Sequence, residues 1–298
     1  EGICPNENIW VLTSEKYASI VQEQLPMIPA ENILKEPCRR NTAPCIAFAA
    51  HHIHAINPNA SMVVAPSDHL ILKEDEFLNS LSNGLDFVSK HDVLLTLGIK
   101  PNRPETGYGY IQASHQSLDG FTKVKAFTEK PNLELAKVFL ESGDFYWNSG
   151  IFLWNVNAIL EAFERYMPEV SSKVAGGASD FDSCPNISID YAIMEKAENV
   201  YVQLCSFGWA DLGTWGSLHE ASPKDQHRNV IVKGNTLLYD CKDNIIAVPQ
   251  GKLAVLQGLE DYLVADTNNV LLVCRKDDES TIRRYVNDVQ MKLGDEFV

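Results

Sequence analysis

At about 150 residues per domain, 298 residues are enough for two domains, and 45% hydrophobic with 22% charged residues exclude a disordered chain, a collagen-like fibre and a coiled coil. Twenty-five Lys and Arg against 40 Asp and Glu give a net charge of −15, which excludes nucleic acid and an anionic membrane as broad partners and demands local cations or a metal wherever an anion binds. No apolar run approaches the roughly 20 residues of a bilayer span, and Glu1-Gly2-Ile3-Cys4-Pro5 is neither basic nor apolar enough for a leader, so a soluble, untargeted, cytoplasmic protein is expected. Seven cysteines without CxxC spacing read as reduced thiols rather than a disulfide framework or a metal site.

In chain order, Asn8–Thr13 is a short apolar run and Glu15–Leu25 has helical spacing through Tyr17, Ile20, Val21 and Leu25. A strand at Asn32–Lys35 precedes a helix started by Asn41-Thr42-Ala43-Pro44, with proline in the first turn where its missing N–H costs nothing. Ser61–Ala65 and Val93–Leu97 are apolar at nearly every position and flank a helical stretch, Phe77–Val88. Strands buried on both faces and separated by helices predict a doubly wound α/β sheet, mixed but mostly parallel.

From Thr106 to Lys130 glycine turns and alternating strands predict an antiparallel insertion. Helices follow at Leu133–Leu140, Val156–Arg165 and Ile189–Lys196. After Asn229 six short strands (230–232, 236–239, 244–248, 253–256, 262–264 and 270–273) are divided by Asn, Asp and Gly turns, and Asp277–Met291 reads as a closing helix. They form a small β-rich unit, quasi-repetitive but without the fixed period of a solenoid. The expected domains are 1–226 and 227–298.

Several short motifs carry chemistry. Pro66-Ser67-Asp68-His69 puts Asp68 just past a buried strand, where open α/β sheets bind ligands and a carboxylate can share Mg²⁺ with phosphates; a turn or cap role is the alternative. Gly208–Trp215 puts Asp211 past a second strand, Val200–Cys205, and its alternative is to cap a helix near Thr214. Phe127-Thr128-Glu129-Lys130-Pro131 ends a strand with a carboxylate and an ammonium; Pro131 predicts an extended Lys130. That lysine suits a phosphate and Glu129 suits sugar hydroxyls, against a plain surface ion pair. Gly107 and Gly109 lie among tyrosines, and Trp147-Asn148-Ser149-Gly150 adds an amide, as in a pocket wall. Arg40 and Asn41 precede a helix N-terminus, a natural anion site, against an ordinary helix cap with a surface arginine. His51, His52 and His54 read as surface residues, since no acidic or thiol ligand falls in phase with them.

Taken together, Glu36-Pro37…Arg40–Pro44, Pro66–His69, Glu105–Ile111, Phe127–Pro131, Trp147–Gly150, Ser188-Ile-Asp-Tyr191 and Trp209–Gly213 resemble the mannose-1-phosphate guanylyltransferases, or GDP-mannose pyrophosphorylases, from about Asn8 onward. The resemblance implies a nucleotidyltransferase sheet domain, a small β-rich domain, and the Mg²⁺-dependent conversion of GTP and mannose 1-phosphate to GDP-mannose and pyrophosphate. It implies metal-binding roles for Asp68 and Asp211, a sugar-phosphate contact for Lys130, a sugar pocket of Glu129, Asn148 and Gly109, and a place beside the nucleotide for Arg40 and Asn41. The family opens with a strand, a Gly-rich loop with an arginine, and a Pro-Lys; residues 1–30 contain none of these, so about fifty further residues are expected ahead of residue 1. A nucleotidyltransferase for another sugar or nucleotide and a non-catalytic homologue stand as alternatives, and the sequence leaves a homo-oligomer open.

Overall fold

The computed structural model describes residues 2–267, 269–276 and 281–297. They pack as two units, one of residues up to Ser67 with Ile71–Trp209, the other of Asp68–Leu70 with the chain from Ala210 onward.

The first unit begins with β1 (Val11–Ser14), α1 (Ala18–Gln24) and β2 (Ile33–Glu36), β1 and β2 pairing in parallel from Val11↔Ile33 to Ser14↔Glu36. Next come α2 (Thr42–Ile56), β3 (Ser61–Val64), the two-residue β4 (Leu70–Ile71), α3 (Glu74–Lys90), β5 (Leu94–Ile99), β6 (Tyr110–Leu118) and β7 (Phe121–Thr128). After these follow α4 (Leu133–Ser142), β8 (Phe145–Asn155), α5 (Val156–Tyr166), α6 (Pro168–Val174), β9 (Val200–Cys205) and the two-residue β10 (Trp209–Ala210). The central sheet has six strands in the order β3-β8-β5-β9-β7-β6. β5 and β9 are parallel, whereas β8 and β7 run against their neighbours, so four of the six strands share one direction.

Period-two alternation sends successive side chains of a strand to opposite faces. Leu94, Phe152 and Trp154 therefore pack with α2, α5 and α6, while Leu95, Leu97, Ile151 and Leu153 pack with α3. Both faces are covered, which is why these strands are apolar at nearly every position.

The predicted helix at 189–196 is instead a π turn, Asp190–Met194. The three histidines of α2 are half-buried rather than on the surface: His51 Nε2 lies 3.0 Å from the Ser171 hydroxyl of α6 and His52 meets Trp10 edge-on. Packing of α2 against its neighbours covers a face whose polarity alone predicts exposure.

The second unit contains α7 (Trp215–Ala221), β11 (Val230–Lys233), β12 (Asn235–Tyr239), β13 (Ile245–Ala247), β14 (Leu253–Gln257), β15 (Tyr262–Asp266), β16 (Leu271–Arg275) and α8 (Ile282–Leu293). Asp277–Ser280, the start expected for the closing helix, lie outside the described residues. Successive turns of chain stack in parallel: β11 on β13 at Val230↔Ile245, β13 on β15 at Ile245↔Leu263, β12 on β14 at Asn235↔Leu253. This is solenoid stacking, and its first interval is shorter than its second, which hides a fixed period in the sequence. A ladder of buried asparagines holds the turns. Asn229 Oδ1 accepts from Asn244 Nδ2 at 2.9 Å, Asn244 Nδ2 also donates to the Leu259 carbonyl at 2.8 Å, and Asn244 Oδ1 accepts the Tyr262 N–H at 2.9 Å. Each amide satisfies backbone groups that burial would otherwise leave without water.

Candidate active site

Strand register assembles the first cluster. β6 pairs with β7 at Tyr110↔Thr128 and with β8 at Tyr110↔Trp147, so one residue further on Gly109 stands opposite both Glu129 and Asn148; the Asn148 N–H donates to the Gly109 carbonyl at 2.8 Å. A β-carbon on Gly109 would lie 2.5 Å from Glu129 Oε2. A side chain at this position would push against the tip of Glu129, so glycine leaves the carboxylate its place.

Glu129, Lys130, Asn41, Thr42, Asn186, Ile187, Ser188, Asp190 and Tyr191 line a cavity of about 360 Å³. The Glu129 side chain is only 8% exposed and its Oε1 sits 3.2 Å from Lys130 Nζ, whose side chain is 60% exposed. Burial, reinforced by the Asp190 carboxylate, pushes the Glu129 acid above the usual range while Lys130 pulls it back; burial likewise raises Asp190. A single ammonium thus serves two partly desolvated carboxylates, which is more than a surface ion pair.

Lys130 is not extended. Its φ is +46°, in the left-handed region. Pro131 disfavours the right-handed helical conformation, and a left-handed turn meets that restriction while the Glu129 N–H is anchored on Glu195 Oε1 at 3.2 Å. Asn41, on the same cavity, has φ +67° and ψ −172°, a region that is essentially glycine's and costs of order 1–3 kcal/mol. Asn41 caps α2 by accepting the Thr42 N–H at 2.8 Å. Arg40 does not line the cavity: its Nη2 donates to the Asp182 carbonyl, tying the loop before α2 to the 181–184 segment.

The Asn148 amide is oriented by its neighbours. Its Oδ1 accepts from the Thr96 hydroxyl at 2.9 Å and from the Gly150 N–H at 3.3 Å, which leaves Nδ2 to donate to Asp190 Oδ1 at 2.9 Å. Thr96 is fully buried on β5. Nothing in the Thr96 sequence neighbourhood distinguishes it from an ordinary strand residue.

The turn into β6 is knotted by Glu105, whose Oε1 accepts the N–H groups of Thr106 and Gly107 at 3.0 Å each and whose Oε2 pairs with Arg103 at 3.2 Å. The Arg103 guanidinium lies 5.9 Å from the Tyr108 ring centre and 5.1 Å from that of Trp147. This fixes the loop that delivers Gly109.

The second cluster lies in the second unit. Asp68 is exposed in the loop beyond β3, and Asp211 directly follows Ala210. Both carboxylates act on His69, raising its pKa against the larger lowering by burial, so the two acids share a neighbourhood. Asp211 Oδ1 accepts the Gly213 N–H at 3.1 Å. It does not cap the next helix, because Thr214 does so, with Ser217 completing a capping box. Among the described residues no three His, Cys, Asp or Glu side chains gather to enclose a metal. Two hard carboxylates fit an open Mg²⁺ site completed by phosphates, since Mg²⁺ takes few protein ligands.

Residues 5–228 match the nucleotidyl transferase family, to which the chain belongs. It is 35% identical over 313 residues to mannose-1-phosphate guanylyltransferase 2 of Escherichia coli O157:H7, a match covering 97% of this chain and 64% of that protein. It is 34% identical to the alginate biosynthesis protein AlgA of Pseudomonas aeruginosa, covering 94% and 61%. A crystal structure described as a mannose-1-phosphate geranyltransferase from Thermus thermophilus aligns with TM-score 0.88 at 27% identity over 97% of this chain and 86% of that one. The chain spans somewhat less than two thirds of the length of these curated relatives. The motif resemblance to mannose-1-phosphate guanylyltransferases is borne out by the names of these relatives. No helix among the described residues is long and apolar enough to cross a membrane.

Proposed function

We propose that the protein transfers a guanylyl group from GTP to mannose 1-phosphate, giving GDP-mannose and pyrophosphate, in the cytoplasm. The observation that carries this reading is the cavity in which Glu129 and Lys130 stand beside Asn41 and Asp190, with Gly109 leaving room for the Glu129 carboxylate, in a chain whose relatives bear that activity in their names.

Lys130 receives the phosphate of the sugar phosphate through a charge-assisted contact. Glu129 accepts sugar hydroxyls, Gly109 admits them beside the backbone, and Asn148 braces the wall. Asn41 stands at the start of α2, where backbone N–H groups favour the nucleotide's phosphates, and Arg40 holds that loop in place. An oxygen of the sugar phosphate attacks the α-phosphorus of GTP; the new P–O bond forms as the bond to the bridging oxygen breaks, and pyrophosphate leaves. Such a displacement needs positioning and charge neutralisation and no covalent nucleophile. Asp68 and Asp211 would hold Mg²⁺, which when bound neutralises phosphate charge. We assign the transfer to residues 1–226 and a β-rich domain to 227–298, whereas compact packing divides the chain between Trp209 and Ala210.

Pyrophosphate release by the full-length protein, measured over a panel of nucleoside triphosphates and sugar 1-phosphates with and without Mg²⁺, tests the reading. The highest kcat/KM is expected for GTP with mannose 1-phosphate, with loss of turnover on chelation. A different preferred pair would reassign the substrates, and no turnover with any pair would leave the catalytic reading without support.

A further inference from the structure

Asp190 carries a carboxylate that none of the roles above uses. It opens the π turn Asp190–Met194, a widening of helical backbone that recurs at functional positions, and it lines the cavity with Glu129 and Lys130. The same short element grips the cavity at both ends. Asp190 receives the Asn148 amide at 2.9 Å, and Glu195, directly after the turn, receives the Glu129 backbone N–H at 3.2 Å.

The direction of each hydrogen bond matters. A backbone N–H can only donate, so the Asn148 atom facing Gly150 is its oxygen, which also takes the Thr96 hydroxyl. The Asn148 carbonyl is thereby spent inside the protein, and one of its two N–H bonds goes to Asp190. Asn148 then has little left with which to read a ligand. The acceptor capacity of this wall resides in Glu129 and Asp190, two partly buried acids sharing the single ammonium of Lys130. Such a set is poorly matched to a bare phosphate, which brings only acceptors. It suits a ligand that brings hydroxyl donors as well as a phosphate, because each O–H satisfies a lone pair that burial has stripped of water.

We propose that Asp190 is a specificity-determining residue of this cavity, accepting hydroxyl hydrogen bonds from the sugar ring of a sugar phosphate alongside Glu129, with Asn148 and Thr96 behind it as positioning residues. The proposal rests on the functional reading above and narrows it: the choice between sugar epimers is made by a pair of carboxylates, one from β7 and one from the π turn.

The test is steady-state kinetics and calorimetry on the full-length protein and its Asp190→Asn, Asp190→Ala and Thr96→Val variants. Asp190→Asn keeps an acceptor for Asn148 and removes the charge; it should raise the KM for mannose 1-phosphate about tenfold, with the KM for GTP within about twofold, and shrink the preference for mannose 1-phosphate over glucose 1-phosphate. Thr96→Val should move both readouts the same way by a smaller factor. Wild-type KM and wild-type sugar preference in Asp190→Asn would overturn the proposal while leaving the function intact. An equal rise in both KM values accompanied by a fall in Tm would also overturn it, in favour of a purely structural Asp190. Calorimetric titration of mannose 1-phosphate without nucleotide reads the same contact without turnover. Heat with wild type and its loss in Asp190→Ala supports the proposal even if no transfer is seen; heat unchanged in Asp190→Ala overturns the proposal while leaving the functional reading to the turnover assay.

Discussion

Replacing Gly109 with alanine perturbs the cavity through a single methyl group. The added carbon would lie 2.5 Å from Glu129 Oε2, a distance at which the carboxylate must withdraw, whereas Asn148 Cβ at 3.4 Å and the Phe127 ring at 3.5 Å need scarcely move. Gly109 is not among the residues of positive φ, so alanine is allowed by the backbone and reduces the freedom of the unfolded chain by about 0.4–1 kcal/mol. Overpacking of this kind costs about 1–3 kcal/mol, so the net loss of stability is roughly 0–2.5 kcal/mol. Displacing Glu129 does more damage to binding. A hydrogen bond to a charged group contributes about 1.5–3 kcal/mol, and at 1.4 kcal/mol per factor of ten its loss lowers kcat/KM for mannose 1-phosphate roughly 10- to 150-fold. Steady-state pyrophosphate release with each substrate varied in turn, beside a thermal melt, separates the effects. The expected result is a large loss on the sugar phosphate, a KM for GTP within about threefold of wild type, and a Tm lower by a few degrees. Wild-type kinetics in the folded variant would refute the argument, because the position of Glu129 would then be irrelevant to the sugar phosphate.

Lys130→Ala should raise the KM for mannose 1-phosphate and lower kcat, and Lys130→Arg should restore activity only in part because its planar head cannot occupy the place of an ammonium; unchanged kinetics in the alanine variant would return Lys130 to a surface role. Asp211→Asn keeps an acceptor for the Gly213 N–H but halves the carboxylate count beside His69, so kcat should fall and the Mg²⁺ concentration for half-maximal rate should rise; an unaltered Mg²⁺ titration would remove Asp211 from the metal reading. Asn244→Ala strips the part-buried Tyr262 N–H of its partner, removes one of two donors to the Leu259 carbonyl, and leaves Asn229 Oδ1 without the Asn244 side-chain amide. It should destabilise the β-rich unit by about 1–3 kcal/mol, read by denaturant titration; a loss below about 0.5 kcal/mol would show that the ladder does not hold the turns. Burial raises the Asp190 pKa in the folded state, so the native protein holds more protons than the unfolded chain above the ordinary carboxylate pKa, and stability falls as pH rises through that window. Asp190→Asn should therefore melt above wild type at about pH 8, with the difference vanishing toward about pH 4; a variant less stable at the higher pH would contradict this sign.

The strands and helices of the first unit were legible because their causes are local. Apolar runs such as Ser61–Ala65 and Val93–Leu97, bounded by turn residues, read as strands packed on both faces, and Asn41-Thr42-Ala43-Pro44 reads as a helix start. Glu129, Lys130, Gly109 and Asn148 were likewise visible in short motifs, because glycine and paired charges beside a proline have few uses. Tertiary structure decided what these residues do to one another. That Gly109 opposes both Glu129 and Asn148 follows from the register of three strands, which the sequence does not encode locally. Thr96 and Asp190 become a relay only because β5 and the π turn meet Asn148 from opposite sides. Lys130 is left-handed, against the local expectation, in a turn where the neighbouring Glu129 N–H is held by Glu195. The short strands after Asn229 are legible as quasi-repetitive, but their solenoid stacking is not, because coils of unequal length leave no fixed period. Local preference sets each element's type within a few residues, whereas chemistry depends on distances of about 3 Å between side chains far apart in sequence, and only the packed chain fixes those.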